Sequence, residues 1–312
     1  MDLKKIKDLT VICLLGPTAS GKTELAIKLS EQFPIDIVNV DSAQVYREMN
    51  IGTAKPSHEI LIKFPHRLID IRDPEDTYSA SEFVKDANDE IAQIHAKQRI
   101  PLMVGGTMLY FHALIEGLSK LPDRDKGVRD AIDHEASIIG WPKMHKKLAS
   151  IDTTAAKRIN PNDGQRIQRA LEVYDLTGKN ITDLQSQKQK NNNYNFINFA
   201  IRCHSRAELH RRINLRFLSM LDNGFLEEVS NLKNRESLTS KHASMRAVGY
   251  KQIWSYLDGD FSLDEAIMRA QASTRQLAKR QITWLRNSID ASEVNAKNQN
   301  LISAISASCK KG

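Results

Sequence analysis

The residues with the clearest chemical potential lie near the start of the chain. Gly16, Pro17, Thr18, Ala19, Ser20, Gly21, Lys22 and Thr23 follow the spacing G-x-x-x-x-G-K-[ST] of a phosphate-binding loop. Glycine at Gly16 and Gly21 lets the backbone reach positive φ and approach a polyanion closely. Successive N–H groups then converge on the anion, and a helix beginning at the loop adds its positive end. Lys22 places a point charge on the phosphates, and the Thr23 hydroxyl can ligate Mg2+. The loop leaves open which phosphorylated ligand it holds.

Further candidates stand at the ends of apolar runs. Asp41 follows IDIVNV (35–40). Ligands of parallel α/β sheets bind beyond the carboxyl ends of strands, so Asp41 can reach the cleft of the loop. An Asp-Ser pair is equally a helix N-cap. Gly105, Gly106 and Thr107 follow IPLMV (100–104), where a nucleoside triphosphatase usually carries an acidic metal partner. Here the glycines admit a ligand closely and Thr107 offers a hydroxyl; a plain turn capped by Thr107 is the alternative.

Basic residues recur at helical spacing. Arg166 and Arg169 share a face of the segment Gln165, Arg166, Ile167, Gln168, Arg169, which by itself reads as a solvated helix. Arg212 and Arg216 lie one turn apart, a spacing that suits a diphosphate or solvent alike. Arg275, Lys279 and Arg286 form a stripe, with Arg280 beside it and Trp284 near its end. Such a stripe can track a nucleic-acid backbone, whereas the preference of cations for a helix C-terminus explains only some of it.

These residues need elements to hold them. Apolar runs at 10–15, 35–40, 66–71, 100–104 and 195–203 read as strands. Helical periodicity covers 24–30, 83–97 behind a capping box at Ser79 to Glu82, and 108–118. From 119 to 194 strand signals fade and charged helical segments take over, at 128–137, 141–148, 155–159 and 163–176. The polar segment 185–195 reads as a mobile loop. A second capping box, Ser205 to Glu208, opens a helix with the apolar stripe Leu209, Ile213, Phe217 and Leu221, stopped at Asn223 and Gly224. Helices follow at 245–257 and from 262 to about 286. The expected architecture is a P-loop-type α/β core, a parallel sheet flanked by helices, built from 1–118 and 195–290. A helical insertion occupies 119–194, and 291–312 is a weakly ordered tail.

Composition sets outer bounds. The chain has 312 residues, 41% hydrophobic and 27% charged, which is globular. No apolar run has the length of a membrane span, and the N-terminus lacks a signal-peptide core. The 3 cysteines, Cys13, Cys203 and Cys309, are far apart and suggest neither a zinc site nor a disulfide framework. A cytoplasmic protein is expected. The formal charge of +7 is compatible with a nucleic-acid partner but does not establish one.

Several stretches, in order, resemble the tRNA dimethylallyltransferase (tRNA isopentenyltransferase) family, closest to its bacterial form. They are GPTASGKT (16–23), VDSAQVYR (40–47), IGTAKP (51–56), HRLIDIRDP (66–74), PLMVGGTMLYF (101–111), PNDGQRIQRALEVY (161–174), RAVGYKQIWSYL (246–257) and TRQLAKRQITWLR (274–286). The resemblance implies transfer of a dimethylallyl group from dimethylallyl diphosphate to N6 of the adenosine 3′ to the anticodon. The acceptors are tRNAs that read codons beginning with U, diphosphate leaves, and Mg2+ assists. The loop would then cradle the prenyl diphosphate, which fits the glycines where an acidic residue is missing.

The same resemblance gives each position a role. Asp41 would take the N6 proton or orient the amine, and Asp41, Ser42, Ala43 and Gln44 would hold the flipped base. Thr107 would contact the reacting centre. Lys22, Thr23 and Arg216 would neutralise the departing diphosphate. Arg129, Gln165 to Arg169, Arg246, Gly249, Tyr250, Lys251, Lys279, Arg280, Gln281, Trp284 and Arg286 would grip the anticodon stem-loop, with the insertion as the closing arm. A monomer is expected. The chain departs from the family at Gly164, where proline is usual, which implies a looser start to that helix. Rival readings are a small-molecule kinase using the loop for ATP and an adenylate isopentenyltransferase acting on free nucleotide. Neither uses the basic last helix. A GTPase-like switch lacks its guanine signature.

Overall fold

A computed structural model describes residues 9–186, 188–189, 194–202 and 205–294. The chain divides into two compact units, residues 116–191 and the remainder. In chain order the elements begin with β1 (Thr10–Leu15), α1 (Lys22–Ser30), β2 (Ile35–Val40), α2 (His58–Lys63), β3 (His66–Arg67), α3 (Ala80–Ala96), β4 (Ile100–Gly105) and α4 (Met108–Glu116). The inserted unit carries β5 (Leu118–Ser119), α5 (Lys126–Ile139), α6 (Trp141–Ile151), α7 (Thr153–Arg158), α8 (Gly164–Thr177), α9 (Ile181–Ser186) and β6 (Lys188–Gln189). The first unit resumes with β7 (Asn195–Ile201), α10 (Arg206–Asp222), α11 (Phe225–Lys233), α12 (Tyr250–Leu257), α13 (Leu263–Ser288) and β8 (Ser292–Val294).

The larger unit is built on a sheet of 6 strands in the order β3-β2-β4-β1-β7-β8. All of its pairings are parallel. β1 sits between β4 and β7 and is buried along its whole length, as the unbroken apolar run TVICLL requires of a strand covered on both faces. Its side chains Ile12 and Leu14 join Leu25, Ala26 and Leu29 of α1 with Leu102, Val104, Phe199 and Ile201 in one core. α3 opens with the complete capping box expected at Ser79 and Glu82. At α10 only half of the expected box forms. The Ser205 hydroxyl accepts from Glu208 N, but the Glu208 carboxylate turns to Arg211 and Arg212.

Four expectations about elements are corrected. The strand at 66–71 pairs only through His66 and Arg67, because Leu68 (φ 61°) and Asp70 (φ 56°) are left-handed and cannot continue a ladder. The departure brings Asp70 to the buried Lys55 amine, 2.5 Å away, which also donates to Tyr46 O and Asn50 Oδ1. The helix expected over 245–257 is a short 3-10 turn at Ser244–Arg246 followed by α12, the two separated by Gly249 at φ 96°. Residues 292–294 of the expected tail form β8 beside β7; residues 295–312 lie outside the described residues. Within the segment expected to be a mobile loop, Lys188–Gln189 pairs antiparallel with Leu118–Ser119; Gln187 and residues 190–193 lie outside the described residues.

The inserted unit has a core of its own, in which Ile132, Met144, Leu148, Ala155, Ile167, Leu171 and Val173 are buried together. Gly164 is a packing requirement here: a Cβ at that position would lie 2.5 Å from the Trp141 indole. The start of α8 is nonetheless fixed, because the Asp163 carboxylate caps Arg166 N at 3.2 Å. Among the described residues, no helix is long and apolar enough to cross a membrane.

Candidate active site

The loop Gly16–Thr23 joins the buried end of β1 to α1. Gly21 is the N-cap of α1 at φ 93° and makes no side-chain cap, so the first N–H groups of the helix face the loop without a capping side chain. The second left-handed residue is Ala19 (φ 60°) rather than Gly16. Gly16 is needed for space instead: a Cβ there would meet Ser20 Oγ at 2.8 Å and Ile201 Cβ at 3.2 Å. The Lys22 amine folds back over the loop and donates to Gly16 O (3.0 Å) and Pro17 O (2.7 Å). Ser20 Oγ is buried with no hydrogen-bond partner among the described residues.

A cavity of about 260 Å³ opens over this loop, walled by residues 18–24, Asp41, Gln44, Thr53, Gly105, Gly106, Arg216 and Gln281. Arg216 reaches it from α10. Burial pulls the affinity of its guanidinium for the proton down, and the charge of Asp41 opposes that pull. Arginine remains a cation under such a shift, so the cavity holds a fixed positive charge across from the loop. A second cavity of about 140 Å³ shares Thr18, Asp41, Thr53, Arg216 and Gln281 with the first; the rest of its lining includes the apolar Ile213, Phe217, Met220, Val248 and Leu277 together with Tyr250 and Thr274. Asp41 and Arg216 thus border a polar and an apolar compartment together.

Asp41 stands at the head of a turn at the cavity wall. Its Oδ1 accepts from Ala43 N (2.9 Å) and Gln44 N (3.4 Å), capping a turn, while the carboxylate lines both cavities. No helix follows it: residues 42–45 form turns. Thr107 Oγ1 accepts from Ser42 N (3.0 Å) and donates to Ser42 Oγ (3.3 Å), tying the end of β4 to the Asp41 turn. Gln44 donates its amide to Thr53 O and Ala54 O. The glycines at the end of β4 are demanded by the protein itself. A Cβ on Gly105 would lie 1.9 Å from Val40 O, and one on Gly106 would lie 2.6 Å from Gln281 Nε2.

Sequence reasoning misses Glu228. Its carboxylate accepts from Asn50 N (2.9 Å), Ile51 N (2.7 Å), Gly52 N (3.1 Å) and the Tyr250 hydroxyl (2.5 Å), and so holds the loop that delivers Thr53 and Ala54. The only local signal is an acidic residue beside the apolar stripe Phe225, Val229 and Leu232 of α11, and that is weak. His66, also unforeseen, lines the polar cavity and leaves its buried Nε2 without a partner among the described residues.

The residues expected to meet RNA divide sharply. Lys279, Arg280 and Arg286 are exposed on α13, as are Arg246 and Lys251 ahead of it. Lys279 and Arg286 line a broad depression of about 1370 Å³ with Arg202, Arg206 and Arg275. Trp284 packs edge-on against His112, with centroids 5.7 Å apart. Three other residues of that set are enclosed. Tyr250 is fully buried against Glu228 and Phe225, Gly249 is buried beside it, and Gln281 is 8% exposed with its amide engaged within the protein. Tyr250 and Gln281 nonetheless line the cavities beside Asp41.

In the inserted unit Gln165 and Arg166 are exposed, whereas Ile167 is in the core and Gln168 donates to Asp133 Oδ1 at 2.6 Å. Arg129 and Arg169 both grip the fully buried Glu172, at 2.7 Å each. Burial alone would raise the Glu172 pKa, but the hydrogen bonds from Arg129 and Arg169 outweigh it and hold the carboxyl below its ordinary value. A carboxylate whose folded-state pKa is depressed stabilises above its unfolded pKa, about 4.3, and loses that contribution as pH falls through the folded value. Glu172→Gln is expected to destabilise this unit by about 3 kcal/mol at neutral pH. It should also flatten the acid dependence, read as hydrogen-exchange protection of residues 126–177 between pH 6 and 3.

Comparison with known proteins agrees with this geometry. The IPP transferase family model matches residues 44–288. The tRNA dimethylallyltransferases of two strains of Coxiella burnetii are each 52% identical over 296 residues, covering 95% of either chain. The crystal structure of the full-length tRNA isopentenylpyrophosphate transferase of Bacillus halodurans superposes with a TM-score of 0.71 at 33% identity, over 97% of both chains. A eukaryotic dimethylallyltransferase captured acting on tRNA gives a TM-score of 0.77 at 25% identity, over 96% of this chain and 77% of that one. With the family model matched over most of its length and curated relatives 52% identical from end to end, the chain belongs to the IPP transferase family.

Proposed function

We propose that this protein transfers the dimethylallyl group of dimethylallyl diphosphate to N6 of the adenosine 3′-adjacent to the anticodon (position 37) in tRNAs reading U-starting codons. The observation that carries the reading is the shared wall of the two cavities. A diphosphate fits the polar one, between the loop and Arg216, and a short branched hydrocarbon fits the apolar one. Their junction carries Asp41.

In the reaction the N6 lone pair attacks C1 of the donor. The C1–O bond breaks, diphosphate departs with the electron pair, and the amine proton goes to the Asp41 carboxylate. Allylic diphosphates ionise readily, so the protein has two main tasks: stabilising the leaving oxygens and aiming the amine. Lys22, Arg216 and the N–H groups of the loop perform the first. Asp41, held by Ala43 N and by the turn that Thr107 fastens, performs the second.

The donor set suits Mg2+ bound largely through substrate. Among the described residues, no group of three His, Cys, Asp or Glu side chains could hold a metal. Mg2+ keeps waters and takes phosphate oxygens readily, needing few protein ligands. The Thr23 hydroxyl, on the wall of the polar cavity, would hold such an ion, which would supply positive charge against the diphosphate. The protein acts as a cytoplasmic monomer in this reading.

Incubation with unmodified tRNA and labelled dimethylallyl diphosphate, followed by nucleoside analysis, should place the label in one prenylated adenosine per tRNA. Phosphoryl transfer from ATP with no prenylation would favour the kinase instead. The exposed cations of α13 should carry the RNA. Lys279→Ala with Arg286→Ala is expected to weaken tRNA binding and lower the slope of log K against log salt by about 2, roughly one for each phosphate no longer neutralised. Filter binding between 50 and 300 mM salt reads it; an unchanged slope would move the RNA elsewhere.

A further inference from the structure

From the packing of α13 against the loop, we infer that Gln281 is a positioning residue of the phosphate cradle. Its amide fastens the loop to the end of β4, and this inference rests on the polar cavity being the seat of the diphosphate. Gln281 Oε1 accepts from Thr18 N at 2.9 Å, and Nε2 donates to Gly106 O at 2.8 Å. The side chain therefore bridges the backbone of the loop and the backbone that leaves β4. It comes from a helix remote in sequence and is 8% exposed.

The bridge has a chemical consequence. A phosphate loop works by aiming uncommitted N–H groups at an anion. Here the Thr18 N–H is already engaged by Gln281, so the first half of the loop is held by the protein. The second half, at the uncapped start of α1, is left to the ligand. Gly106 and Gln281 are buried and Thr18 is half-buried, so removing the amide leaves one donor and one acceptor with little access to water. The bridge also accounts for Gly106: any side chain there would strike Gln281 Nε2, 2.6 Å from the new Cβ, while the next nearest atom, Gly16 O, is 3.4 Å away. The glycine exists to admit the glutamine.

The test is a double-mutant cycle on the full chain with Gln281→Ala, Gly106→Ala and the pair together. It is read by KM for dimethylallyl diphosphate, affinity for inorganic pyrophosphate, and tRNA affinity. Gln281→Ala should raise the donor KM and the pyrophosphate Kd about tenfold, corresponding to the removal of one hydrogen-bonded bridge. tRNA affinity should stay within about twofold, as expected for a group that does not touch RNA. Gly106→Ala alone should show the same pattern. In the Gln281→Ala background it should add almost nothing, because the obstructed atom is gone.

Gln281→Glu keeps the acceptor for Thr18 N and sets an oxygen against Gly106 O. It should shift the same constants without emptying the space, and it carries the test should the alanine variant fail to fold. Loss of tRNA affinity with the donor constants unchanged would overturn the proposal, as would full additivity of the two alanines. Pyrophosphate binding keeps the two readings apart. If the parent chain never prenylates tRNA yet pyrophosphate follows the cycle, the reaction is wrong and the positioning stands.

Discussion

Asp41→Asn is expected to lower the single-turnover rate of prenyl transfer by about 10²–10⁴, the range for loss of a positioned general base. tRNA affinity should remain within about twofold, since the change is isosteric. The structure keeps the turn intact in this substitution, although Arg216 loses the charge of Asp41. Oδ1 caps Ala43 N and Gln44 N, and asparagine keeps that oxygen. Only the second oxygen changes, from a proton acceptor to an amide that has no place for the N6 proton. Asp41→Ala removes the cap as well, so it should impair tRNA binding in addition to the rate. The measurement is transfer under saturating enzyme with parallel filter binding. Normal transfer by the asparagine variant would remove Asp41 from the chemistry.

The second large effect belongs to Arg216. Arg216→Gln is expected to reduce kcat by about 10²–10³ and to raise the donor KM, as for loss of a preorganised donor to a developing oxyanion. Burial makes this guanidinium costly to hold, as the downward pull on its proton affinity shows, and only the nearby Asp41 charge offsets it. Such a group is retained where an anion compensates the desolvation. Arg216→Lys keeps the charge but loses the planar fork, so it should recover part of kcat and less of KM. Steady-state kinetics with varied donor separates the two constants. Unchanged values for both would place the diphosphate elsewhere than between the loop and α10.

Much of this is legible in the residues. TVICLL before the glycine-rich loop and an apolar periodicity after it can only be strand and helix, and that unit positions the rest. Asp41 after β2 is legible as near the cleft, but a side chain that caps a turn and one that faces a ligand look alike in spacing, and here one carboxylate does the first and lines the cavity as well. What stays hidden is tertiary. Gln281 sits in a helix whose neighbours are cations, and its burial follows from how α13 meets the loop. Tyr250 reads as an amphipathic helix residue, and only the packing of Phe225 and Glu228 takes it from the surface. Gly16 and Gly105 read as freedom of φ or room for ligand, whereas each is demanded by a neighbouring atom of the protein. The shortness of β3 hinges on two left-handed non-glycine residues, which local propensity does not announce.

The antiparallel pairing of Leu118–Ser119 with Lys188–Gln189 has one more implication. Chain enters and leaves the inserted helices through strands lying side by side, so the closure entropy of everything between them is met at the neck, however long the excursion. Helices could be lengthened, exchanged or cut away beyond that neck, with a two-residue hairpin left in their place, and α4 would still hand over to β7. Evolution therefore has a socket here, in which the inserted helices can be remodelled without disturbing the order of the larger sheet.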